Sequence, residues 1–363
     1  MAETELTRSR LALDIEAQPD SLGDVLKRQC GDGLAPALDA AALLRSAKRV
    51  VIVGIGASMF ASITLCYALC ARGVDATVVE AAEFLHYRHR AFRDAVLIVV
   101  SRSGESVEIR RLLEIVGHKQ PVIGITNEPE SLLAREARVC LLLGSRADEF
   151  VAIQTYTGTL LAMHILVRLM DESPSIVHEE IERLLTPFAS LVSTSLENSH
   201  EWDKFFEHRS PLYLLSRGPS LASACEGALL FNEIAKFSAI GSAIASFRHG
   251  PFEVVDNRFN GFVFAPEGPT RELNLGLAED IVRCGGSVRV VGPRRKGGPE
   301  IEWCETPAVP EGLAPLFDIV PIQVAAMRLA QLQGIRPGSF RYTPQVAVDE
   351  ARFSLPPQDA AAK

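Results

Sequence analysis

The sequence predicts an α/β protein made of two doubly wound parallel-sheet subdomains in tandem. Three observations carry that prediction. Short apolar runs alternate with longer helical stretches. The runs lack polar alternation, as strands buried on both faces do. The pattern then starts again after residue 210, which suggests a degenerate internal duplication.

In the first half the apolar runs fall at 49–55, 76–80, 95–101, 121–126 and 138–143, each rich in Val, Ile or Leu. Between them, 59–72, 105–117 and 131–136 have helix spacing. Residues 156–208 keep that spacing almost throughout, with Pro174 and Pro187 as interruptions, and are expected to be packing helices plus a connector. In the second half, 211–216 matches the first strand, 261–265 the third and 287–292 the fourth, while 316–320 is less easily classed. The expected division is an N-terminal segment 1–25, a first subdomain 26–195, a second 196–349 and a frayed tail 350–363.

A chain of 363 residues, 47% hydrophobic, is long enough for two cores. The net charge of -8 argues against a nucleic-acid face, which needs a basic stripe. It also leaves any anionic ligand to local donors rather than to bulk attraction. The seven cysteines are odd in number and form no C-x-x-C pair. Small buried hydrophobes in a reducing compartment are expected, with no metal and no cofactor. The first residues, Met1-Ala2-Glu3-Thr4-Glu5, are too polar for a signal peptide, and no run is long and charge-free enough to cross a bilayer. A cytoplasmic protein without membrane partners is expected.

Ligands of open parallel sheets bind beyond the carboxyl ends of the strands, where strand order reverses. Two turns of the first half leave strands there. Gly54-Ile55-Gly56-Ala57-Ser58 lets the backbone approach a ligand, and Ser58 offers a hydroxyl at a helix start. With Glu80 ending the next strand it also suggests a dinucleotide site, but Met59 stands where the third glycine belongs. The turn Ser101-Arg102-Ser103-Gly104-Glu105-Ser106 is more specific. It gathers three hydroxyls, a permissive glycine and unpaired N–H groups at the positive end of a helix, as a phosphate requires. A serine N-cap helped by Glu105 or Glu108 accounts for one of those serines. The equivalent stretch of the second half, Ala265-Pro266-Glu267-Gly268-Pro269-Thr270, is acidic and proline-rich.

The second half offers Glu233 and His249 instead. Glu226 and Glu233 lie seven residues apart, on one side of a helix. Each is by default a solvated surface acid. His249 lies in Phe247-Arg248-His249-Gly250-Pro251, a turn that holds it in a fixed setting, either facing a cleft or bonded to backbone.

Several separated stretches together resemble one family. They are Gly56-Ala57-Ser58, Ala82-Glu83-Phe84 with Tyr87-Arg88, the serine turn, Thr126-Asn127 with Ser131-Leu132, Cys225-Glu226-Gly227-Ala228-Leu229 with Asn232-Glu233-Ile234, and His249-Gly250-Pro251. Their order and spacing over roughly residues 45–350 resemble the tandem SIS (sugar isomerase) family, whose subdomains are flavodoxin-like. The likeness is greatest to the isomerase portion of glutamine–fructose-6-phosphate aminotransferases and to stand-alone phosphosugar isomerases, deglycases and deaminases.

The resemblance assigns the sugar phosphate to Ser58, Ser101, Ser103 and Ser106, with Arg102 and Gly104 in the same turn and Gln154 or Thr155 at another contacting turn. It makes Glu233 the carboxylate that moves a proton between C1 and C2, and His249 the ring-opening histidine given by a partner subunit, hence a homodimer. Two family lysines are absent. One falls at Leu230, the other, the Schiff-base lysine, at about Pro344. Arg341 is close to the latter but is always protonated, a poor nucleophile. With no glutaminase portion in the sequence either, glutamine-dependent synthesis is not expected.

An enzyme acting at C1/C2 of a hexose- or hexosamine-6-phosphate is therefore expected first, by isomerisation, deamination or deglycation. A non-catalytic phosphosugar sensor is second. A nicotinamide dehydrogenase, resting on Gly54, Gly56 and Glu80, is last because it leaves the serine turn unexplained.

Overall fold

The computed structural model describes residues 9–207, 211–295, 301–342 and 349–350, without the side chain of His118. The chain enters through three helices, α1 (Arg10–Glu16), α2 (Gln18–Lys27) and α3 (Leu34–Ser46). The first sheet follows: β1 (Arg49–Gly54), α4 (Ala57–Cys70), β2 (Asp75–Glu80), β3 (Val96–Val100), α5 (Val107–Val116), β4 (Val122–Thr126), α6 (Leu132–Glu136) and β5 (Val139–Leu142). Two long helices, α7 (Gln154–Arg168) and α8 (Pro174–Glu197), lead to the second sheet. That sheet comprises β6 (Leu212–Ser216), α9 (Leu221–Ile234), β7 (Ala239–Ala243), α10 (Ile244–Arg248), β8 (Asn260–Phe264), α11 (Arg271–Arg283), β9 (Ser287–Gly292) and β10 (Glu302–Glu305). Helix α12 (Ala314–Leu332) closes the fold.

Both sheets are wholly parallel, ordered β2-β1-β3-β4-β5 and β7-β6-β8-β9-β10. In each half the order therefore reverses beside the first strand, so the duplication holds strand for strand. The inner strands β1, β3, β4 and β8 are buried along nearly their whole length, which is why Val, Ile, Leu and Phe dominate them. Helix α5 shows the complementary pattern. Ile109, Leu112, Leu113 and Val116, spaced for one helical face, are its buried residues.

Two strands of the second sheet escape the sequence pattern. Both β7 and β10 are edge strands and only partly buried, and neither carries a continuous apolar run. β10 reads Glu-Trp-Cys-Glu, and β7 carries Gly241, where a Cβ would stand 2.6 Å from the Ala224 oxygen of α9. Segment 316–320 lies inside α12. Pro174 begins α8 as expected of a first-turn proline, but Pro187 does not interrupt it. The carbonyl left without an N–H donor is that of Arg183, an exposed residue open to water.

One continuous apolar core joins the halves, running from Leu11 and Leu22 through Phe188 to Phe317 and Leu329. Phe188 of α8 and Phe317 of α12 meet edge-on with ring centres 5.5 Å apart. Gln18 of α2 and Gln323 of α12 exchange amide hydrogen bonds of 2.8 and 3.2 Å inside it. The segment expected to precede the first subdomain is thus built into the shared core. The stretch Glu311–Leu332 is long and apolar enough to cross a membrane, against the sequence expectation, but 94% of its apolar window is buried within the protein.

Candidate functional site

Strands β1 and β3 are neighbours with Val53 opposite Val99, so their two turns emerge side by side at the reversal of strand order. Ser58 lies in the first turn of α4, a helix of fourteen residues whose N-cap is Gly56. The serine turn beside it is held from below. Ser101 N–H donates to Ile125, Arg102 oxygen accepts from Asn127 N–H and from the Thr126 hydroxyl, and Gly104 oxygen accepts from Leu133 N–H. Glu105 accepts from Leu132 N–H at 2.6 Å and from Arg110 at 2.6 Å, which ties the turn to α6 rather than capping α5.

Gly104 has φ +62°, and a Cβ there would lie 2.6 Å from the Ser131 Cβ, so both conformation and space demand glycine. Ser101 Oγ accepts from Gly104 N–H at 3.1 Å and Ser103 Oγ from Glu105 N–H at 3.3 Å. Ser106 occupies the N-cap of α5, yet its side chain makes no capping bond. Among the described residues, the N–H groups of Arg102, Ser103 and Ser106 find no acceptor. The turn is a rigid cradle of donors at a helix start, suited to an anion.

The second half reaches this cradle through α9. A Cβ at Gly56 would stand 3.6 Å from Leu229, so α9 lies directly over the first turn. One helical turn on, Glu233 is half-buried. Burial pushes its carboxyl up to about 7, while the positive charges of Lys236 and Arg102 hold it back. Arg102 thus joins the anion cradle to the acid. A carboxyl near 7 exchanges its proton readily at neutral pH, as a general acid–base group should.

Lys236 was not singled out by the sequence. Its Nζ donates to the backbone carbonyl oxygens of Glu233 and Ser339, and it is the one non-glycine residue with positive φ among the described residues. Burial, then the nearby charge of Arg341, lowers its pKa, which Glu233 partly restores. A lysine just past a helix end is an ordinary capping residue, so nothing in the sequence marked it.

Other anticipated residues take different places. Gln154 and Thr155 start α7, where Asp148 caps the helix. It accepts from Gln154 N–H at 2.7 Å, from Thr155 N–H at 3.0 Å and from the Thr155 hydroxyl. The Gln154 amide donates to Asp14 and the Ala147 oxygen, and its Oε1 is buried without a partner. His249 is exposed at the carboxyl edge of the second sheet, after α10. Among the described residues no hydrogen bond joins its ring to Glu233 or the serine turn. Leu230 is fully buried in α9, and Glu226 beneath it is 1% exposed. Pro344 lies outside the described residues.

Two sheets of one strand order about a shared helical core, with an anion cradle at the first reversal, define the tandem SIS fold. Residues 43–170 match the SIS domain family. The chain is 30% identical over 336 residues to the glutamine–fructose-6-phosphate aminotransferase (isomerizing) of Pyrococcus horikoshii, covering 89% of this chain and 55% of that one. It is 26% identical over 348 residues to the enzyme of that name from Escherichia coli, covering 90% and 56%. The chain spans about half the length of the curated relatives it matches.

Solved structures show the same fold. The C-terminal domain of glucosamine-fructose-6-phosphate aminotransferase from Francisella tularensis superposes with TM-score 0.79 at 22% identity, over 90% of this chain and 97% of that one. Tagatose-6-phosphate ketose/aldose isomerase from Escherichia coli gives 0.77 at 19% identity, over 95% and 98%. Glucosamine-6-phosphate deaminase from Thermotoga maritima gives 0.69 at 20% identity, over 93% and 99%.

Proposed function

We propose that the chain is an enzyme acting at C1/C2 of a hexose- or hexosamine-6-phosphate. The observation that carries this reading is the placement of Glu233, with its raised pKa, beside Arg102 of the anion cradle. The phosphate sits on Ser58, Ser101, Ser103 and Ser106, which leaves the far end of an open-chain sugar beside Glu233. The carboxylate takes a proton from C2 and returns it at C1 through an enediol or enolamine. The names of the relatives, an isomerising aminotransferase, a ketose/aldose isomerase and a deaminase, fit that shared intermediate.

His249 acts from a second copy of the chain, a reading supported by its exposure in its own chain. The active form is accordingly a homodimer, and Gln154 and Thr155 support the site from α7. The test is exchange of the C2 proton, followed by NMR in deuterated water with glucosamine-6-phosphate and fructose-6-phosphate. Glu233→Gln should abolish exchange and leave phosphosugar affinity within about threefold, because it removes the proton acceptor and keeps the cradle. Unchanged exchange in that variant removes Glu233 from the mechanism. Tight binding without exchange in the unaltered protein supports a sensor, a reading favoured by the apolar Leu230 beside Glu226.

A further inference from the structure

The second sheet also reverses its strand order, between β6 and β8, and a cavity of about 490 Å³ opens there. Its position corresponds to the anion cradle of the first half; its chemistry is the opposite. The turn after β6 carries Pro219, and the turn after β8 carries Pro266 and Pro269, so three backbone N–H donors are missing. Ser220, the counterpart of Ser58, spends its hydroxyl on buried Asp318 at 2.6 Å.

In place of donors there is a fixed carboxylate. Glu311 lies across both turns: a Cβ at Gly268 would stand 2.6 Å from its Cδ, and one at Gly218 would stand 3.1 Å from its Oε1. Among the described residues no hydrogen bond or ion pair engages the Glu311 carboxylate. Partial burial alone moves its carboxyl up. The cations on the cavity wall are already engaged. Arg72 binds Asp171 at 2.7 Å, and Arg168 binds Glu172 and Glu180 at 2.6 and 2.7 Å. His164 is held neutral by burial, with its pKa lowered to about 4. The rest of the wall is largely apolar, Leu65 and Ala68 from α4 and Met163 and Val167 from α7, with the hydroxyl residues Thr64, Tyr67 and Thr270 set among them.

A site of this volume is ample for a small molecule. We propose that it binds a small organic ammonium ion, the charged nitrogen on Glu311 and the apolar body against Ala68, Met163 and Val167. An unpaired carboxylate on a largely apolar wall favours a cation and rejects the phosphate that the first cradle takes.

The experiment is calorimetric titration of the whole chain with three probes of one shape: cyclohexylammonium, cyclohexanol and cyclohexanecarboxylate. The ammonium should bind at least tenfold more tightly than the alcohol, and the carboxylate most weakly. Glu311→Gln should erase that preference, and Ala68→Phe, which fills the cavity from the opposite wall, should abolish binding. Saturating fructose-6-phosphate, which carries no amine, should leave the ammonium in place. Equal affinity for the three probes, no binding, an unchanged preference in Glu311→Gln, or displacement by the phosphosugar would each overturn the proposal. Should Ala68→Phe fail to fold, Glu311→Gln still decides it, because that change preserves shape on a partly exposed side chain.

Discussion

Glu226 and Leu230 stand one turn apart on α9, and the leucine gives the buried carboxyl nothing to pair with. Glu226 is 1% exposed and Leu230 fully enclosed, and Glu226 Oε2 has no hydrogen-bond partner. Burial, followed by the charges of Glu233 and Asp148, pushes the Glu226 pKa well above 4.5. Burial and the two neighbouring carboxylates thus both favour its protonated form.

A first prediction concerns stability. An acid whose pKa is raised in the fold stabilises fully below its unfolded value, and that stability is lost as pH rises. Above 4.5 the loss should approach about 1.4 kcal/mol per pH unit while Glu226 keeps its proton. Glu226→Gln removes this dependence. Urea unfolding should show variant and parent close at pH 5 and the variant ahead at pH 8; the reverse order would mean that Glu226 is ionised in the fold.

The pH profile of turnover gives a second. Glu233 must be a carboxylate to accept the C2 proton, so kcat/KM should rise with pH and level off above about 7. Lys236 and Arg102 both lower that pKa, so Lys236→Met and Arg102→Gln should each move the limb to higher pH. Arg102→Gln should also raise KM through the cradle. A limb that stays in place in both variants would separate it from Glu233.

Two serines at helix starts should respond in opposite ways. Ser131 Oγ caps α6 by accepting from Ala134 N–H at 3.2 Å, so Ser131→Ala should cost about 1 kcal/mol. Ser106 makes no such bond. Ser106→Ala should therefore change stability by less than about 0.5 kcal/mol and weaken glucosamine-6-phosphate binding about tenfold, the worth of one charge-assisted bond. Thermal melts and titration calorimetry on both variants check the contrast.

Gly104→Ala combines a positive φ with a clash against Ser131. Destabilisation of about 1–3 kcal/mol is expected, together with loss of phosphosugar affinity as the turn shifts. Unchanged melting would show that the turn yields easily.

The inner strands of the first half were legible because burial forces an apolar run, as in 49–55 and 95–101, and its edge strands β2 and β5, though only partly buried, still carry Val and Leu. β7 and β10 were not, since Ala-Ile-Gly-Ser-Ala and Glu-Trp-Cys-Glu hold no such run. The serine turn was legible because three hydroxyls and a glycine exceed what one helix cap uses. Lys236 was hidden because its place beside Glu233 depends on how α9 ends, and Glu311 because its neighbours come from two turns distant in sequence.

The pairing of Gln18 with Gln323 bears on how the chain is made. A ribosome delivers α2 early and α12 nearly three hundred residues later, so Gln18 and the Phe188 ring wait for partners that come from the second half. A truncated product ending at residue 195 would leave Phe188 without Phe317 and should aggregate. The repeat of two sheets therefore does not make the midpoint a natural place to divide the chain.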